Sequence, residues 1–258
     1  MSTAEPGIAK TEQFPHLSRA PITEAVLEVR ARAEAPWEEG QLREALALRL
    51  TEYPRILNRR RMQQEMRINP AKAEHVVSDL GWTGLEFQTS NGKQVARFDR
   101  NAFSFARLRP YQRWQKFEAE ALRLWGVHVA IAEPTEVQRI GLRFINQIRL
   151  PAGRIDLDDY LVGGPHQPKT LAMNSHGFFH QDMLGVPGTE FRCNVIRTVQ
   201  APESPGLGPT LVLDIDVFTV NSAVPNEAHL RERLADMRYL KNTLFFGSIT
   251  PKTKEFLL

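Results

Sequence analysis

Two stretches of the sequence resemble each other: Pro21-Ile-Thr-Glu-Ala-Val-Leu-Glu-Val-Arg30 and Pro134-Thr-Glu-Val-Gln-Arg-Ile-Gly-Leu-Arg143. An initial proline, apolar residues at alternate positions and a final arginine recur at an offset of 113 residues, from 21 to 134 and from 30 to 143. Alternation of apolar and polar side chains is typical of a strand with one buried face. The two stretches therefore predict two strands at equivalent positions in the fold.

The same offset recurs near the end of each half of the chain. Apolar residues spaced as i, i+4 and i+7 form one helix face in both places, namely Phe117, Ala121 and Leu124, and then Leu230, Leu234 and Met237. A repeated strand and a repeated helix indicate a duplicated unit. Chance similarity is the alternative, because few residues are identical and strand patterns resemble one another.

The local patterns predict the same order of elements in both halves. The first half contains a strand at Ile22 to Ala33, a helix at Trp37 to Tyr53, a four-stranded meander and a closing helix. Within the meander, Asn91-Gly92 lies between two alternating runs and is a favoured hairpin turn. The second half repeats strand, short helix, hairpin, strand and long helix with looser spacing.

This order predicts an α+β fold in which two similar strand-helix-meander-helix halves form one curved antiparallel sheet with helices on one side. We expect a flexible tail at residues 1–18, a first half at 19–130 and a second half at 131–258, fused into one compact unit. The element order resembles a duplicated TATA-binding-protein-like fold. That likeness concerns architecture alone and implies no function.

The composition is that of an ordinary folded protein with one unusual bias. The net charge is +3, from 33 basic and 30 acidic residues, which gives no strong field that would favour nucleic acid as a partner. However, 25 of the 33 basic residues are arginine, a side chain that pairs well with carboxylates and phosphates. A high genomic G+C content would give the same bias.

The single cysteine, Cys193, excludes an intramolecular disulfide and a metal cluster with several cysteines. The sequence also contains no apolar run of the roughly 18 residues that a membrane helix needs, and its N-terminus has no apolar core of a signal peptide. We therefore expect a cytoplasmic protein.

Three segments together carry a resemblance to known proteins: Ala20-Pro-Ile-Thr-Glu-Ala-Val-Leu-Glu-Val-Arg30, Arg139-Ile-Gly-Leu-Arg-Phe-Ile-Asn-Gln-Ile148 and Leu240-Lys-Asn-Thr-Leu-Phe-Phe-Gly-Ser-Ile-Thr250. They resemble a sporadically distributed family of uncharacterised bacterial proteins of about this length. The family has no established activity, and none of the segments is a known catalytic signature. The resemblance implies a bacterial cytoplasmic protein and assigns no catalytic or binding residue.

Arginine side chains are predicted on the outer face of the sheet, away from the core. If the two halves join as expected, Arg30 and Arg143 are symmetry mates there, and Arg67, Arg97 and Arg139 lie on the same face. Such a face would suit phosphates or an acidic protein segment. Interleaved acidic residues would neutralise much of it, which favours an ion-paired surface; they are Glu28, Glu65, Asp214 and Asp216.

Two sets of residues are candidates for a metal site. In His176-Gly-Phe-Phe-His180-Gln-Asp182, two imidazoles and a carboxylate point to one side of an extended chain, as ligands of zinc or non-haem iron do. Asp214 and Asp216 share a strand face about 7 Å apart, a spacing that suits Mg²⁺ or paired acid and base roles. The simpler interpretations are a polar strand face beside a loop, and carboxylates paired with arginines.

These observations predict a non-enzymatic binding module that recognises an acidic protein segment or a small anionic ligand. The expected surfaces are the arginine-bearing sheet face and the cleft between the halves, bordered by the loop at Gly163 to Pro168. The alternatives are a metal-dependent hydrolase or nuclease and, further, a nucleic-acid-binding protein. We expect no cofactor and no membrane association, and the sequence is compatible with a homodimer.

Overall fold

The computed structural model describes residues 8–34, 37–69, 72–153, 155–164, 177–204, 206–220 and 226–258, apart from the side chains of residues 65–76. These residues form a nine-stranded antiparallel sheet and four α-helices. The strands are β1 (Ile22–Ala33), β2 (Arg55–Asn69), β3 (Lys72–Gln88), β4 (Gln94–Asp99), β5 (Ala102–Leu108), β6 (Pro134–Arg149), β7 (Phe179–Gly185), β8 (Phe191–Gln200) and β9 (Thr210–Thr219). The helices are α1 (Glu39–Ala47), α2 (Trp114–Ala132), α3 (Glu227–Ser248) and α4 (Pro251–Leu257), with a 3₁₀ turn at Leu157–Asp159.

The two similar stretches form the central pair of the sheet. β1 and β6 run antiparallel, with Leu27 opposite Leu142 and Val29 opposite Ile140. All four side chains are at most 3 % exposed, and burial of each contributes about 1.5–3 kcal/mol to stability. The repeated apolar positions are therefore core positions.

The strand order is symmetric about this pair. It runs β2-β3-β4-β5-β1-β6-β9-β8-β7, so β5, β4 and β3 lie outward from β1 as β9, β8 and β7 lie outward from β6. α2 follows β5 and packs on it, and α3 follows β9 and packs on β9 and β6. The first half has α1 and the extra strand β2, whereas the described part of the second half has only the 3₁₀ turn between β6 and β7. Common ancestry of the halves stays a prediction.

One core joins the sheet to the helices across both halves. Phe105 of β5 stacks on Phe117 of α2 with ring centroids 5.4 Å apart, and Leu234 and Met237 of α3 are fully buried. The predicted α+β fold, with helices on one side of an antiparallel sheet, is confirmed. No helix in the described part of the chain is long and apolar enough to cross a membrane.

Helix α1 is shorter than the spacing of leucines predicts. It ends at Ala47, and the backbone N–H groups of Arg49 and Tyr53 then donate to the carbonyls of Leu46 and Leu50 in successive turns. These turns bury Leu50 and Tyr53, each 1 % exposed. The apolar spacing beyond Ala47 therefore reflects a buried turn, which follows the same period as a helix over so short a distance.

The N-terminal segment, expected as a flexible tail, packs along α3 from Ile8 onward. Lys10 forms a 2.7 Å ion pair with Asp236, whose side chain is 6 % exposed. The ring of Phe14 stacks on Phe246 with centroids 5.3 Å apart. These apolar and ionic contacts give the segment a fixed place beside α3, and residues 1–7 lie outside the described residues.

Candidate functional site

Four of the five arginines predicted on the outer face have described side chains, and these four lie together on that face of the sheet. Arg97 and Glu28 both lie opposite Ser104 of β5, and Arg30 lies opposite Arg139 across the central pair. Arg143 lies opposite Asp216 of β9. We call this the outer sheet face, and the side chain of Arg67 lies outside the described residues.

Arg139 is held by three neighbouring side chains. It donates to Asp216 Oδ2 at 2.9 Å from Nη2 and to Glu28 Oε1 at 3.3 Å from Nη1. Its Cζ lies 4.6 Å from the centroid of the Phe218 ring. Burial raises the pKa of Asp216, and the Arg139 guanidinium opposes that rise. The guanidinium of Arg139 therefore already has two carboxylate partners and one aromatic partner within the protein.

The other arginines of the outer sheet face also pair with carboxylates. Arg143 makes a bidentate pair with Asp214, which holds the pKa of Arg143 above its usual range. The remaining pairs are Arg30 with Glu28 at 2.7 Å and Arg97 with Glu86 at 2.6 Å. The outer sheet face is thus an ion-paired surface rather than a set of free cations.

In the first candidate metal set, the carboxylate of Asp182 is already paired with neighbouring side chains. His180 Nε2 lies 3.2 Å from Asp182 Oδ1, and Arg197 pairs with the other oxygen of Asp182. His176 lies outside the described residues. Among the residues that the structure describes, no group of three or more His, Cys, Asp or Glu side chains is arranged to hold a metal ion.

The second candidate metal set, Asp214 and Asp216, lies on the opposite face of the sheet from Asp182. Asp182 is in register with Val195 and, through β8, with Ile215, both of which are buried on the helix side. Successive residues of a strand point to opposite faces. Asp214 and Asp216 therefore lie on the outer sheet face, where Arg143 and Arg139 bind them, and the two sets do not converge.

A cleft of about 680 Å³ lies between the two halves. Its walls come from the N-terminal segment at residues 14–23, the connection between β5 and α2 at 109–115, β6 at 144–147 and α3 at 238–246. We call it the inter-half cleft. It lies where the two copies of the predicted unit meet, which is a common place for a ligand.

Basic side chains line the inter-half cleft, and the residues described there include no carboxylate. The cations are Arg19, Arg109, Arg113, Arg238 and Lys241. None of the five forms an ion pair with a described residue. Arg109 instead donates to Gln147 Oε1 at 2.6 Å, and Arg238 lies 5.3 Å from the centroid of the Trp114 ring.

Lys241 differs from the four arginines because it is partly buried, whereas they are exposed. Its Nζ lies 4.3 Å from the centroid of the Phe144 ring. Burial, with the nearby positive charge of Arg238, lowers the pKa of Lys241 to about 7. A larger share of this amine is therefore neutral at pH 7 than of an ordinary lysine.

Aromatic side chains form the apolar part of the same cleft. Tyr111 meets the ring of Phe144 edge-on with centroids 5.7 Å apart, and Phe14, Trp114 and Phe246 complete the wall. Burial raises the pKa of Tyr111, so its hydroxyl stays protonated. Rings beside cations offer surface to the apolar body of a ligand whose charge meets the arginines.

A second cavity, of about 580 Å³, adjoins the first at residues 111–113 and differs from it in containing two carboxylates beside its four cations. Its carboxylates, Glu52 and Glu120, both pair with Arg123, and the Tyr53 hydroxyl donates to Glu120 at 2.6 Å. Although burial opposes it, these hydrogen bonds from Arg123 and Tyr53 hold the pKa of Glu120 below its usual range. Glu52, Tyr53, Glu120 and Arg123 satisfy one another, so this part of the cavity has a structural explanation.

The residues around the inter-half cleft differ from those expected. Gly163 and Gly164 do not line it, and residues 165–168 lie outside the described residues. Its cations come from segments far apart in the chain, which no local pattern connects. One signal is present in the sequence: Lys241 lies four residues after Met237, next to the apolar stripe of α3, where a charged side chain is unusual.

Comparison with known proteins gives no match: no family model, curated protein or solved structure is significantly similar to this chain. The inter-half cleft and the outer sheet face are therefore the basis for a functional assignment.

Proposed function

We propose that this protein binds a small anionic molecule with an apolar or aromatic body in the inter-half cleft. The observation that supports this most is the contrast between two sets of cations. Those of the outer sheet face pair with carboxylates, whereas the five cations of the cleft have no carboxylate partner among the described residues. Cations gathered without counter-charge repel one another, and a bound anion removes that repulsion.

The size and chemistry of the cleft agree with such a ligand. Its volume of about 680 Å³ lies in the range of roughly 300–1,000 Å³ typical of small-molecule sites. Arg109, Arg113 and Arg238 offer planar donor groups that suit phosphate, sulfate or carboxylate. Phe144 and Trp114 offer apolar surface beside them, so the ligand combines a charged group with a ring or a short apolar chain.

The outer sheet face is a weaker candidate for binding an acidic protein segment or nucleic acid. An incoming carboxylate or phosphate would first displace the carboxylates already held by Arg97 at 2.6 Å and by Arg139 at 2.9 Å. That exchange of one anion for another gives little net free energy. The inter-half cleft requires no such exchange.

Calorimetric titration with three probes tests the proposal. Phenyl phosphate combines charge and ring, inorganic phosphate has the charge alone, and phenol has the ring alone. We expect one phenyl phosphate per chain, weaker binding of inorganic phosphate and no saturable binding of phenol. Equal binding of phenol and phenyl phosphate, or no saturable binding of either anion, would overturn the proposal; binding of an oligoglutamate peptide alone would favour an acidic protein segment.

A further inference from the structure

The inter-half cleft contains an amine that is free of the partners that lysines usually have. Lys10 and Lys252 each pair with an aspartate at 2.7 Å, and the partner of Lys252 raises the pKa of that lysine. Lys241, in contrast, has the ring face of Phe144 on one side and no ion pair with any described residue. It lines the cleft together with Arg238, one turn earlier on α3.

We propose that Lys241 forms a reversible imine with an aldehyde or ketone that carries an anionic group. This inference rests on the proposed function, because the arginines of the cleft hold the anionic group while the amine meets the carbonyl carbon. An amine in an apolar site beside a second cation is a known arrangement for imine chemistry. The ligand class is therefore a small anionic carbonyl compound.

The reaction needs no further reagent. The lone pair of Nζ attacks the carbonyl carbon, and the carbonyl oxygen leaves as water with the two protons of the neutral amine. A C=N bond replaces the C=O bond, and nothing is oxidised or reduced. Attack requires the neutral amine, which burial and Arg238 make available near pH 7.

The charged group nearest the amine favours its neutral form, whereas the face of the Phe144 ring, 4.3 Å from Nζ, favours the ammonium form. The other titratable side chains that line the cleft are His16, Arg19, Arg109, Tyr111 and Arg113. Among the charged groups of the cleft, Arg238 lowers the pKa of Lys241 by its positive charge. Neither His16 nor Tyr111 supplies a negative charge at neutral pH, since burial raises the pKa of Tyr111.

Selective labelling tests the inference. The full chain is incubated with one equivalent of pyridoxal 5′-phosphate at pH 7 and reduced with borohydride, and the modified lysines are mapped by peptide mass spectrometry. We expect Lys241 to be labelled at least about tenfold more than the other lysines, because its neutral fraction is much larger. Lys241→Arg should abolish this preference, whereas Lys116→Arg, an exposed lysine of the adjoining cavity, should leave it unchanged.

Pyridoxine 5′-phosphate, which has an alcohol in place of the aldehyde, separates the two proposals. If it binds by calorimetry but the aldehyde labels all lysines evenly, the imine is overturned and anion binding stands. If neither it nor phenyl phosphate binds and labelling is even, both proposals fall. Equal labelling of Lys241 by uncharged benzaldehyde would overturn the requirement for an anionic group, and suppression of labelling by phenyl phosphate would support it.

Discussion

Arg139 and Gly141 are successive outward residues of β6, and the guanidinium of Arg139 fills the space that a side chain at position 141 would occupy. A Cβ built on Gly141 would collide with Nη1 and lie 3.1 Å from Cζ. The backbone at Gly141 is not in the left-handed region, so close approach rather than φ explains the glycine. The pairing of Arg139 with Glu28 and Asp216 therefore depends on the absence of a side chain at position 141.

Gly141→Ala should displace Arg139 and leave the part-buried Asp216 without its main partner. Because the guanidinium ends a flexible side chain and can shift, we expect the free energy of unfolding to fall by up to about 1 kcal/mol, measured by urea denaturation. Gly126→Ala is the control, because a Cβ there meets nothing within 4 Å and alanine favours the helix by roughly 0.5–1 kcal/mol. A rise in stability as large as that of Gly126→Ala would contradict the explanation.

Arg143→Ala and Arg30→Ala should differ in their effect on stability. Asp214 is only 8 % exposed, so loss of Arg143 leaves a buried carboxylate unpaired, at a cost of roughly 1–3 kcal/mol, reduced because Arg143 itself is half exposed. In Arg30→Ala, Glu28 still pairs with Arg139. The free energy of unfolding of this variant should therefore fall by less than about 1 kcal/mol. Equal costs in urea denaturation would show that burial of Asp214 is unimportant.

His128 should make the protein sensitive to acid. It is fully buried, neither ring nitrogen has a hydrogen-bond partner, and burial lowers its pKa to about 4. As pH falls below 6.5, the unfolded chain binds a proton that the folded chain does not, so stability is lost until about pH 4. The rings around it are Trp37, Phe98, Phe103 and Trp125.

His128→Phe removes this titration and keeps an aromatic ring in the same place. The variant's unfolding free energy, relative to that of the native chain, should rise by about 2 kcal/mol between pH 7 and pH 5. Other groups titrate equally in both proteins, and any packing cost of the larger ring is the same at both pH values. If the difference in unfolding free energy between the variant and the native chain did not vary with pH, the lowered pKa of His128 would be contradicted.

Binding of an anion in the inter-half cleft should depend on pH through Lys241. Benzenesulfonate keeps one negative charge throughout, whereas Lys241 loses its positive charge as pH rises through about 7. We expect affinity to weaken by up to about tenfold between pH 6 and 8.5, measured by calorimetry. In Lys241→Met the affinity should change less with pH than in the native chain, and an unchanged pH dependence in that variant would assign it to another group.

The central strands are the part of the fold that the sequence predicts best. β1 lies at Ile22–Ala33, as its alternation predicts, because one face is buried and the other carries mostly charged side chains. The hairpin at Asn91-Gly92 also forms, with Gly92 at φ +66°. These features depend on residues close together in the chain, which a local pattern can identify.

The candidate binding surfaces are predicted less well, since they depend on residues that are distant in the chain. Alternation is enough to place Arg30 and Arg143 opposite the core, but their carboxylate partners come from the same strand and from a different one. Arg109, Arg238 and Lys241 meet only because β5, β6 and α3 pack together. Which cations remain unpaired depends on how the chain folds. The sequence pattern therefore identifies the arginines of the outer sheet face, whereas cations without a carboxylate partner among the described residues line the inter-half cleft.

Calorimetric titration of phenyl phosphate into the native chain and into Arg238→Gln tests anion binding in the inter-half cleft most directly. Arg231→Gln is the matched control, because Arg231 lies two turns earlier on α3 and pairs with Glu227 at 3.0 Å outside the cleft. The proposed site predicts binding at least about tenfold weaker in Arg238→Gln and unchanged binding in Arg231→Gln. Equal affinity of all three proteins would contradict it.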